Sequence, residues 1–495
     1  MSRSLFAALR RKYGPKDNGI SRREMLRLSA LAGAGLLLST SAPARVLGAG
    51  SRLNKRSVVV VGAGFAGLSC AHELKAAGYD VTVIESRDRV GGRVLTFTDF
   101  VKDKTVEGGA ELIGSNHPTW VAYAEKFKLE WLDVSGDDDL DSLMILGGKR
   151  LVGEEAEQVY TEMEAAYAKM IEDAHKIDIE EPWKGADAGK FDAVSLGDWI
   201  SKSEASGLCK TAMTVEMTAN NGAPVGKQSY LANLAQVAGG GFDKYWTESE
   251  VYRCKGGNQQ LATKLAEAFG RDRIILKLPV TKIEQKGGKM VVTCADKRTL
   301  ECDDVVLTVP PSVWSKITFE PGLPPHLATQ MGRNLKYISA LKSRFWKAGK
   351  LSQYAFTDTN VQMTWESTDA QPEEGEVAMN AFSGGPAADV CLGWSKEDRD
   401  ARYKAELEKI YPGFSENWLR ARFMDWPNDP WVMASYSFPA PGEIVKAGPT
   451  LHRGLGHLHF AGEHTCYKFV GYMEGGLNSG AAVAKRIAKR DGVAG

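Results

Sequence analysis

An excess of charge of either sign is absent from this sequence. Its 495 residues include 62 lysine and arginine side chains and 62 aspartate and glutamate side chains, so the formal net charge is zero at pH 7. A chain that binds nucleic acid or an anionic membrane through general electrostatics carries surplus basic residues. We therefore expect neither kind of partner. With 43% hydrophobic residues, the chain is typical of a globular protein with two sizeable domains.

Cysteine and histidine are scarce and lack the spacing of metal sites. The seven cysteines form no C-x-x-C pair, and the eight histidines show no zinc-ligand spacing. His457, His459 and His464 lie close together in the sequence, but we predict no metal there. Cys294 and Cys302 flank a predicted hairpin and could form a disulfide, although scattered buried thiols are the preferred interpretation.

A long apolar run is also missing. The mild run Leu28–Leu38 is too short to span a bilayer, so we expect no stable membrane insertion. Arg22 and Arg23 precede it and resemble the twin-arginine export signal, and Ala42-Pro43-Ala44 offers a small-residue cleavage site. The resemblance implies that residues 1–44 are a signal peptide, that the twin-arginine machinery is a partner, and that the mature protein is periplasmic. A basic disordered tail followed by a short helix is the alternative.

The segment from Ser57 to Glu85 has the pattern of a βαβ unit that binds a dinucleotide. Val58–Val61 predicts a buried strand, a helix follows from Phe65 to a stop at Gly78, and Val81–Ile84 predicts a second strand. In such a unit a glycine-rich turn lets the pyrophosphate approach the free N–H groups at the helix start. An acid at the end of the second strand accepts hydrogen bonds from ribose hydroxyls. The residues assigned to these roles are Gly62, Ala63, Gly64, Ala66, Gly67 and Glu85.

The sequence after this unit narrows the cofactor to FAD. Arg89, Gly91, Gly92, Arg93 and Thr96 complete the pattern E-x-x-x-R-x-G-G-R-x-x-T, which resembles the second signature of the flavin amine oxidase superfamily. That superfamily includes monoamine, polyamine and L-amino acid oxidases and phytoene desaturases. The resemblance implies that the paired glycines and Arg93 lie against FAD. A fixed guanidinium charge and a close backbone approach suit a phosphate-bearing cofactor.

A further glycine turn lies in the sequence TVEGGAELIG. The resemblance places Gly109 and Ala110 beneath the flavin ring. Several L-amino acid oxidases carry, just after this turn, an arginine that binds the substrate carboxylate, whereas this sequence has Leu112. The difference counts against an amino acid substrate, although Arg253 or Arg344 could supply the charge from elsewhere.

The resemblance also predicts the fold and the domain organisation. The expected fold is α/β, a two-domain flavoprotein of the monoamine oxidase type. It has a discontinuous Rossmann-like FAD-binding domain and a mixed α+β substrate domain. The FAD-binding domain is assigned to residues 56–116, 250–316 and 450–490, and the substrate domain to residues 117–249 and 317–449.

Several elements of these segments follow from local patterns. Helices are predicted over Glu154–Ala174 and Gln259–Phe269, and a strand over Ile274–Leu278. A hairpin is predicted around Gly287-Gly288. Its first strand begins at Val280, and the matching residue in the family contacts adenine through its backbone.

The first catalytic candidate is Lys336, ten residues before Trp346. At this spacing the family has an active-site lysine, upstream of a Phe-Trp pair, that holds a water against flavin N5. An ammonium there can stabilise the negative charge that develops when reduced flavin reacts with oxygen. Lys342 is the competing candidate. The alternative without a catalytic role is that Lys336 is an ordinary surface lysine on a strand.

The aromatic segment that starts at Trp426 and ends at Tyr436 resembles the one that passes over the flavin in this family. Trp426 is assigned to the cofactor site, and Tyr436 to one wall of an aromatic cage. Ser435 stands where covalently flavinylated monoamine oxidases have cysteine, so we expect non-covalent FAD. Cys466 does not match the position of the usual covalent link.

The last block contains F-A-G-E and G-Y-M-E-G, both specific to this family. The resemblance places Gly462 and Glu463 near the FAD ribityl or pyrophosphate. The backbone of Met473, at a helix start, should face the flavin and stabilise negative charge. Tyr472 matches the second wall of the cage. Two facing tyrosines form an electron-rich slot for a neutral amine, whereas core packing is the alternative for each tyrosine alone.

These assignments predict an FAD-dependent amine oxidase. It transfers hydride from the α-carbon of a primary or secondary amine to flavin N5, and O2 is reduced to H2O2. An L-amino acid oxidase with the same chemistry is the first alternative. A desaturase or isomerase, a dehydrogenase with another acceptor, and a non-catalytic flavin protein stay open. A homodimer also stays open, because dimer surfaces in such proteins need no motif.

Overall fold

The computed structural model describes residues 4–15, 22–38, 56–136 and 140–493. Numbered in chain order, the α-helices of these residues are α1 (Leu5–Tyr13), α2 (Arg22–Ala34), α3 (Phe65–Ala76), α4 (Pro118–Phe127), α5 (Glu154–Ala174), α6 (Ala188–Asp192), α7 (Leu196–Lys202), α8 (Gly207–Asn221), α9 (Tyr230–Gly239), α10 (Asp243–Glu248), α11 (Gln259–Phe269), α12 (Pro386–Leu392), α13 (Lys396–Ile410), α14 (Phe414–Asn417), α15 (Glu443–Arg453) and α16 (Met473–Arg490). The β-strands are β1 (Ser57–Val61), β2 (Asp80–Ile84), β3 (Thr96–Val101), β4 (Lys104–Glu107), β5 (Trp131–Asp133), β6 (Asp141–Leu146), β7 (Lys149–Leu151), β8 (Tyr252–Cys254), β9 (Ile274–Ile275), β10 (Val280–Lys286), β11 (Lys289–Cys294), β12 (Thr299–Cys302), β13 (Asp304–Leu307), β14 (Thr318–Glu320), β15 (Asn334–Leu341), β16 (Leu351–Thr357), β17 (Met363–Glu366), β18 (Val377–Gly384), β19 (Trp418–Met424) and β20 (Leu458–Phe460).

A parallel sheet of five strands, in the order β20-β13-β1-β2-β9, forms the first layer. Val58 and Val60 of β1 pack into a core with helices α3, α11 and α16. Val59 and Val61 pack on the other face, in a core shared with the four-stranded sheet β12-β11-β10-β14. The valine run is therefore buried on both faces, as is typical of a parallel strand.

The strands of this sheet come from three separate stretches of the chain, 57–84, 274–307 and 458–460. The predicted α/β class is confirmed, and the predicted first strand, helix α3 and second strand are all present. The domain boundaries themselves stay a prediction. The strand predicted over Ile274–Leu278 ends early at Ile275, because Lys277 has φ +57° and leaves the extended conformation.

A second, larger sheet has seven strands in the order β19-β15-β18-β17-β16-β6-β7. Strand β15 lies inside it, antiparallel to β18 and β19, and all eight of its residues are buried. Lys336 therefore lies in the middle of a buried strand, opposite Phe382 on one side and Met424 on the other. Such a placement is costly for a charged residue unless a partner compensates it.

All seven cysteines are buried free thiols. Cys294 ends β11 and Cys302 ends β12, and the register places Cys302 opposite Met290. The two thiols thus lie at opposite ends of an antiparallel pair, and the disulfide that the sequence left open is not formed.

The three histidines near the carboxyl terminus do not converge. His457 and His459 each lie 3.0 Å from Asp304 Oδ1, whereas His464 stands edge-on to Trp314. Across the part of the chain that the structure describes, no group of three or more histidine, cysteine, aspartate or glutamate residues is placed to hold a metal ion.

The described part of the amino-terminal segment is helical and packed. Leu5, Phe6 and Leu9 of α1 are buried, and the Phe6 ring centroid lies 5.1 Å from that of Tyr167. Helix α2 lies against α4, and Ser29 Oγ donates to Ser115 O at 2.5 Å. Ser21 and Ala42-Pro43-Ala44 lie outside the described residues. Among the helices of the described ranges, none is both long and apolar enough to cross a membrane.

Candidate active site

A deep cavity opens where β1 and β2 end and extends toward β15 of the larger sheet. Ala63 and Gly67 lie behind its wall, while the other residues predicted for the site line it. Those lining residues are Gly62, Gly64, Ala66, Glu85, Arg93, Gly109, Ala110, Val280, Lys336, Trp426, Tyr436, Gly462, Glu463, Tyr472 and Met473. The cavity thus brings together residues as far apart in the sequence as Gly62 and Met473.

The glycine-rich turn after β1 allows α3 to start close to the sheet. Gly62 has φ +110°, in the region that favours glycine. A Cβ on Gly67 would lie 1.9 Å from Gly62 O and 3.0 Å from Thr308 Oγ1, so any side chain at this position would clash with backbone. The contact keeps the start of α3 at the cavity.

Two helices begin at the cavity wall. Helix α3 starts after Gly64 and α16 after Tyr472, and neither of these N-cap residues makes a side-chain cap hydrogen bond. The N–H groups of both first turns therefore lack a side-chain partner, and both positive dipole ends lie at the cavity. Such helix starts bind phosphate and other anions, so the cavity fits a cofactor with separated negatively charged groups.

Glu85 ends β2 and reaches back to the turn. Its Oε2 accepts from Ala63 N at 2.7 Å and its Oε1 from Arg87 N at 2.8 Å. Burial raises the pKa of this carboxyl above its ordinary value. Each oxygen keeps a further lone pair for hydroxyl donors, so the predicted ribose contact is chemically available.

Arg93 and Glu463 form an ion pair with each other in the cavity wall. Arg93 Nη1 lies 2.9 Å from Glu463 Oε1 and also donates to Ser435 O. The other carboxylate oxygen accepts from Ser437 Oγ at 2.6 Å and from Gly471 N at 2.9 Å. Burial opposes ionisation, but the Arg93 charge and these donors lower the pKa of Glu463. The Glu463 carboxylate therefore forms its hydrogen bonds within the protein and orients Arg93.

Lys336 reaches the cavity and Lys342 does not. Lys336 Nζ lies 2.5 Å from Glu111 Oε2, and the ring of Trp365 is 5.5 Å away. Lys342 is exposed at the far end of β15 and donates to Glu416 O. Of the two candidates, only Lys336 is placed to act at the cavity.

Glu111 lies against Lys336, a contact that sequence reasoning did not predict. Its Oε1 accepts from Trp365 Nε1 at 2.9 Å and lies 2.6 Å from Arg253 Nη2. Burial opposes ionisation, but the charges of Lys336 and Arg253 outweigh it and lower the pKa of Glu111 to about 2. The available signal was a lone acid in an apolar segment, between Ala110 and Leu112.

The two arginines that could have bound a substrate carboxylate are engaged elsewhere. Arg253 is 3% exposed and is paired with Glu111 and Asp369. Arg344 forms a two-pronged pair with Glu366, at 2.7 and 2.8 Å. Neither guanidinium lines the cavity.

The two predicted cage tyrosines both face the cavity. Tyr436 donates from its hydroxyl to Asn220 O at 2.5 Å. Tyr472 packs edge-on against His117, with ring centroids 5.1 Å apart. Burial raises the pKa of both phenols well above the ordinary value, so both rings are neutral.

Trp426, Ser435 and Cys466 were the other residues singled out near the flavin. Trp426 Nε1 donates to Gly108 O at 3.0 Å, and a Cβ on Gly109 would lie 3.3 Å from the Trp426 ring. Ser435 Oγ donates to Asn334 Oδ1 at 2.6 Å. Cys466 is buried and lies outside the cavity lining.

Comparisons with known proteins agree with this geometry. The sequence model of the family described as "Flavin containing amine oxidoreductase" matches residues 65–488. The chain is 28% identical to a putative flavin-containing monoamine oxidase of Mycobacterium tuberculosis, over 87% of this chain and 96% of that one. It is 26% identical to putrescine oxidase of Kocuria rosea, over 90% and 97%. The structure of cyclohexylamine oxidase from Brevibacterium oxydans has the same fold, with a TM-score of 0.80, 24% identity, and 88% and 100% coverage.

Proposed function

The chain belongs to the flavin-containing amine oxidoreductase family, and from this premise we propose how its residues act on an amine. The predicted family and the monoamine oxidase type of fold are confirmed. The protein is an FAD-dependent enzyme that catalyses the oxidative deamination of an amine.

We propose that the glycine turn and the starts of α3 and α16 hold FAD at the cavity. Bound there, FAD supplies the acceptor for a hydride from the amine α-carbon and returns the electrons to O2 as H2O2. The first-turn N–H groups of α3 bind the pyrophosphate, and Glu85 accepts from the ribose. Met473, as the first residue of α16, would offer its backbone N–H to the flavin ring.

Tyr436 and Tyr472 orient the amine between their rings. Both phenols are neutral, so they provide electron-rich faces without a charge. A neutral amine fits this slot, whereas both arginines of the cavity wall, Arg87 and Arg93, are already paired with carboxylates of the protein. The observation that carries the proposal is that both tyrosines and Lys336 line the cavity where the two helices begin.

The proposal is tested by mixing the FAD-loaded protein with amines under anaerobic conditions. Bleaching of the flavin absorbance by a primary amine, with ammonia and an aldehyde or ketone as products, is the expected result. A flavin that stays oxidised with every amine offered, including putrescine and cyclohexylamine, contradicts it. Flavin that remains in solution after acid denaturation and removal of the protein would agree with non-covalent binding.

Removing one cage ring is expected to weaken catalysis far more than removing its hydroxyl. Tyr436→Leu deletes the aromatic wall, and we expect kcat/KM for the amine to fall about tenfold or more. Tyr436→Phe is the matched control, because the hydroxyl points to Asn220 O and the ring stays. We expect its kcat/KM to change less than about threefold. Equal losses in both variants would show that the ring does not contact the substrate.

We also propose that residues 1–44 are a twin-arginine signal and that the mature enzyme is periplasmic. The support is the Arg22-Arg23 pair, the short apolar run after it and the small residues up to Ala44. This export route carries folded, cofactor-loaded proteins, which suits an FAD enzyme. Amino-terminal sequencing of exported protein is expected to start near Arg45, and a start that retains Arg22 and Arg23 contradicts the proposal.

Removing residues 1–44 is expected to lower the thermal stability of the FAD-loaded protein. Phe6 packs between Tyr160 and Tyr167, and Glu216 accepts from Ser4 Oγ at 2.8 Å and Phe6 N at 3.1 Å. A chain that starts at Arg45 lacks these contacts, and each large apolar side chain contributes roughly 1.5–3 kcal/mol by burial. We expect it to melt below the full-length chain in calorimetry, both loaded with FAD. Identical melting curves would show that α1 adds no stability.

A further inference from the structure

We propose that Glu111 is a positioning residue for Lys336: its carboxylate fixes the ammonium in the cavity wall and keeps it charged. The inference rests on the proposed amine oxidase function, in which Lys336 acts beside the flavin as the family resemblance predicts, and it concerns the residue that holds Lys336.

The contacts of Lys336 leave one strong acceptor. Its Nζ lies 2.5 Å from Glu111 Oε2, and the next polar neighbour, Glu107 O, is 3.4 Å away. The side chain is 10% exposed, and Lys336 is the third residue of β15. A charge-assisted hydrogen bond of this length outweighs the longer contact, so Glu111 sets the place of the ammonium.

Glu111 is itself held rigidly. Its Oε1 accepts from Arg253 Nε and Trp365 Nε1, both at 2.9 Å, and Arg253 Nη2 lies 2.6 Å away. Arg253 is anchored in turn by Asp369 and by Glu366 O. Because these donors occupy Oε1, Oε2 points to Lys336. The carboxylate therefore links the turn beneath the cavity to strands β8, β15 and β17.

The charges around Lys336 balance only while Glu111 is ionised. Lys336 and Arg253 bring two positive charges, and Glu111 and Asp369 bring two negative charges. Of the other acids packed nearby, Glu366 is paired with Arg344.

Glu107 is the remaining acid, and burial raises its pKa to about 7. Without the Glu111 charge, the buried ammonium faces Arg253 with no carboxylate in contact. Burial and the Arg253 charge then both oppose the charged form of the Lys336 side chain.

The test uses sulfite binding to the FAD-loaded protein and needs no amine substrate. Sulfite adds to N5 of oxidised flavin through its sulfur lone pair, leaves a negative charge on the ring and bleaches its absorbance. A nearby ammonium favours this adduct. The ratio of sulfite affinities with and without the Lys336→Met substitution isolates that contribution at each pH, because the ionisation of sulfite itself cancels.

When no other residue is changed, the protein with Lys336 is expected to bind sulfite about tenfold or more tightly than the Lys336→Met variant. This ratio of affinities is expected to stay constant from about pH 6 to pH 9. In the Glu111→Gln background it is expected to fall toward one as the pH rises through this range. Glu107→Gln is the matched control, since only the backbone of Glu107 contacts Lys336, and its ratio is expected to stay constant.

A constant and undiminished ratio in the Glu111→Gln background overturns the inference. If the Glu111→Gln variant does not retain FAD, the comparison of the wild type with Lys336→Met decides alone. A ratio of their sulfite affinities that reaches one between about pH 6 and pH 9 overturns the inference as well. A protein that oxidises no amine would still give these ratios, so failure of the proposed function is distinguishable from failure of this inference.

Discussion

Replacing Lys336 with methionine is expected to slow the reaction of the reduced enzyme with O2 by about a hundredfold, the loss typical of one preorganised charge-stabilising group. The ammonium lies in the cavity wall, and we propose that it stabilises the negative charge that develops on oxygen. Flavin reduction by the amine is expected to stay within about threefold of wild type, because the tyrosine slot is unchanged. Anaerobic reduction followed by stopped-flow mixing with O2 measures the two half-reactions separately.

The variant should fold and retain FAD, because Glu111 keeps its contacts with Arg253 and Trp365. Lys342→Met is the control, since this lysine directly follows β15 and donates to Glu416 O outside the cavity. Its two half-reactions are expected to match those of the wild type. Unchanged reoxidation in Lys336→Met would rule out the assigned role, and so would a loss confined to flavin reduction.

The second large effect is expected from adding one methyl group in the glycine turn. In Gly67→Ala the new Cβ would lie 1.9 Å from Gly62 O, in the turn that directly follows β1, and β1 is held between β2 and β13. The start of α3 must move outward, which displaces the N–H groups assigned to the pyrophosphate. We expect FAD content to fall at least about tenfold. Overpacking is expected to lower the free energy of unfolding by about 1–3 kcal/mol.

Gly207→Ala is the matched control, because Gly207 begins helix α8 and a Cβ there meets no atom within 4 Å. The flavin spectrum of the purified protein and denaturant unfolding measure the two expected changes. Normal FAD content in Gly67→Ala would show that the close approach of α3 is not needed for cofactor binding.

The parts of the fold with strong local patterns could be predicted from the sequence. Helix α5 and helix α11 have the predicted bounds, and the hairpin of β10 and β11 turns at the predicted glycines. In each case the periodicity and the turn residues decide the structure locally. The short strand β9 was predicted too long. Lys277 has a positive φ, and a lysine, unlike a glycine, does not reveal such a conformation in the sequence.

The candidate site was predictable where it lies inside motifs. The glycines, Glu85, Lys336 and both tyrosines were placed by patterns of fixed spacing. The partner of Lys336 was not, because Glu111 and Lys336 are 225 residues apart and meet only through tertiary packing. The pairing of Arg93 with Glu463, and of Arg253 with Asp369, was hidden for the same reason.

The most direct test of the account is a peroxide-release assay on purified, FAD-replete protein with matched substrates. Phenylethylamine is compared with phenylalanine, and cadaverine with lysine, so that each pair differs only by the α-carboxylate. The account predicts peroxide from one or both amines and none from the amino acids, because the two arginines that line the cavity, Arg87 and Arg93, are paired with carboxylates of the protein. Peroxide from the amino acids alone would contradict it and would require a carboxylate-binding group that the tyrosine slot does not contain.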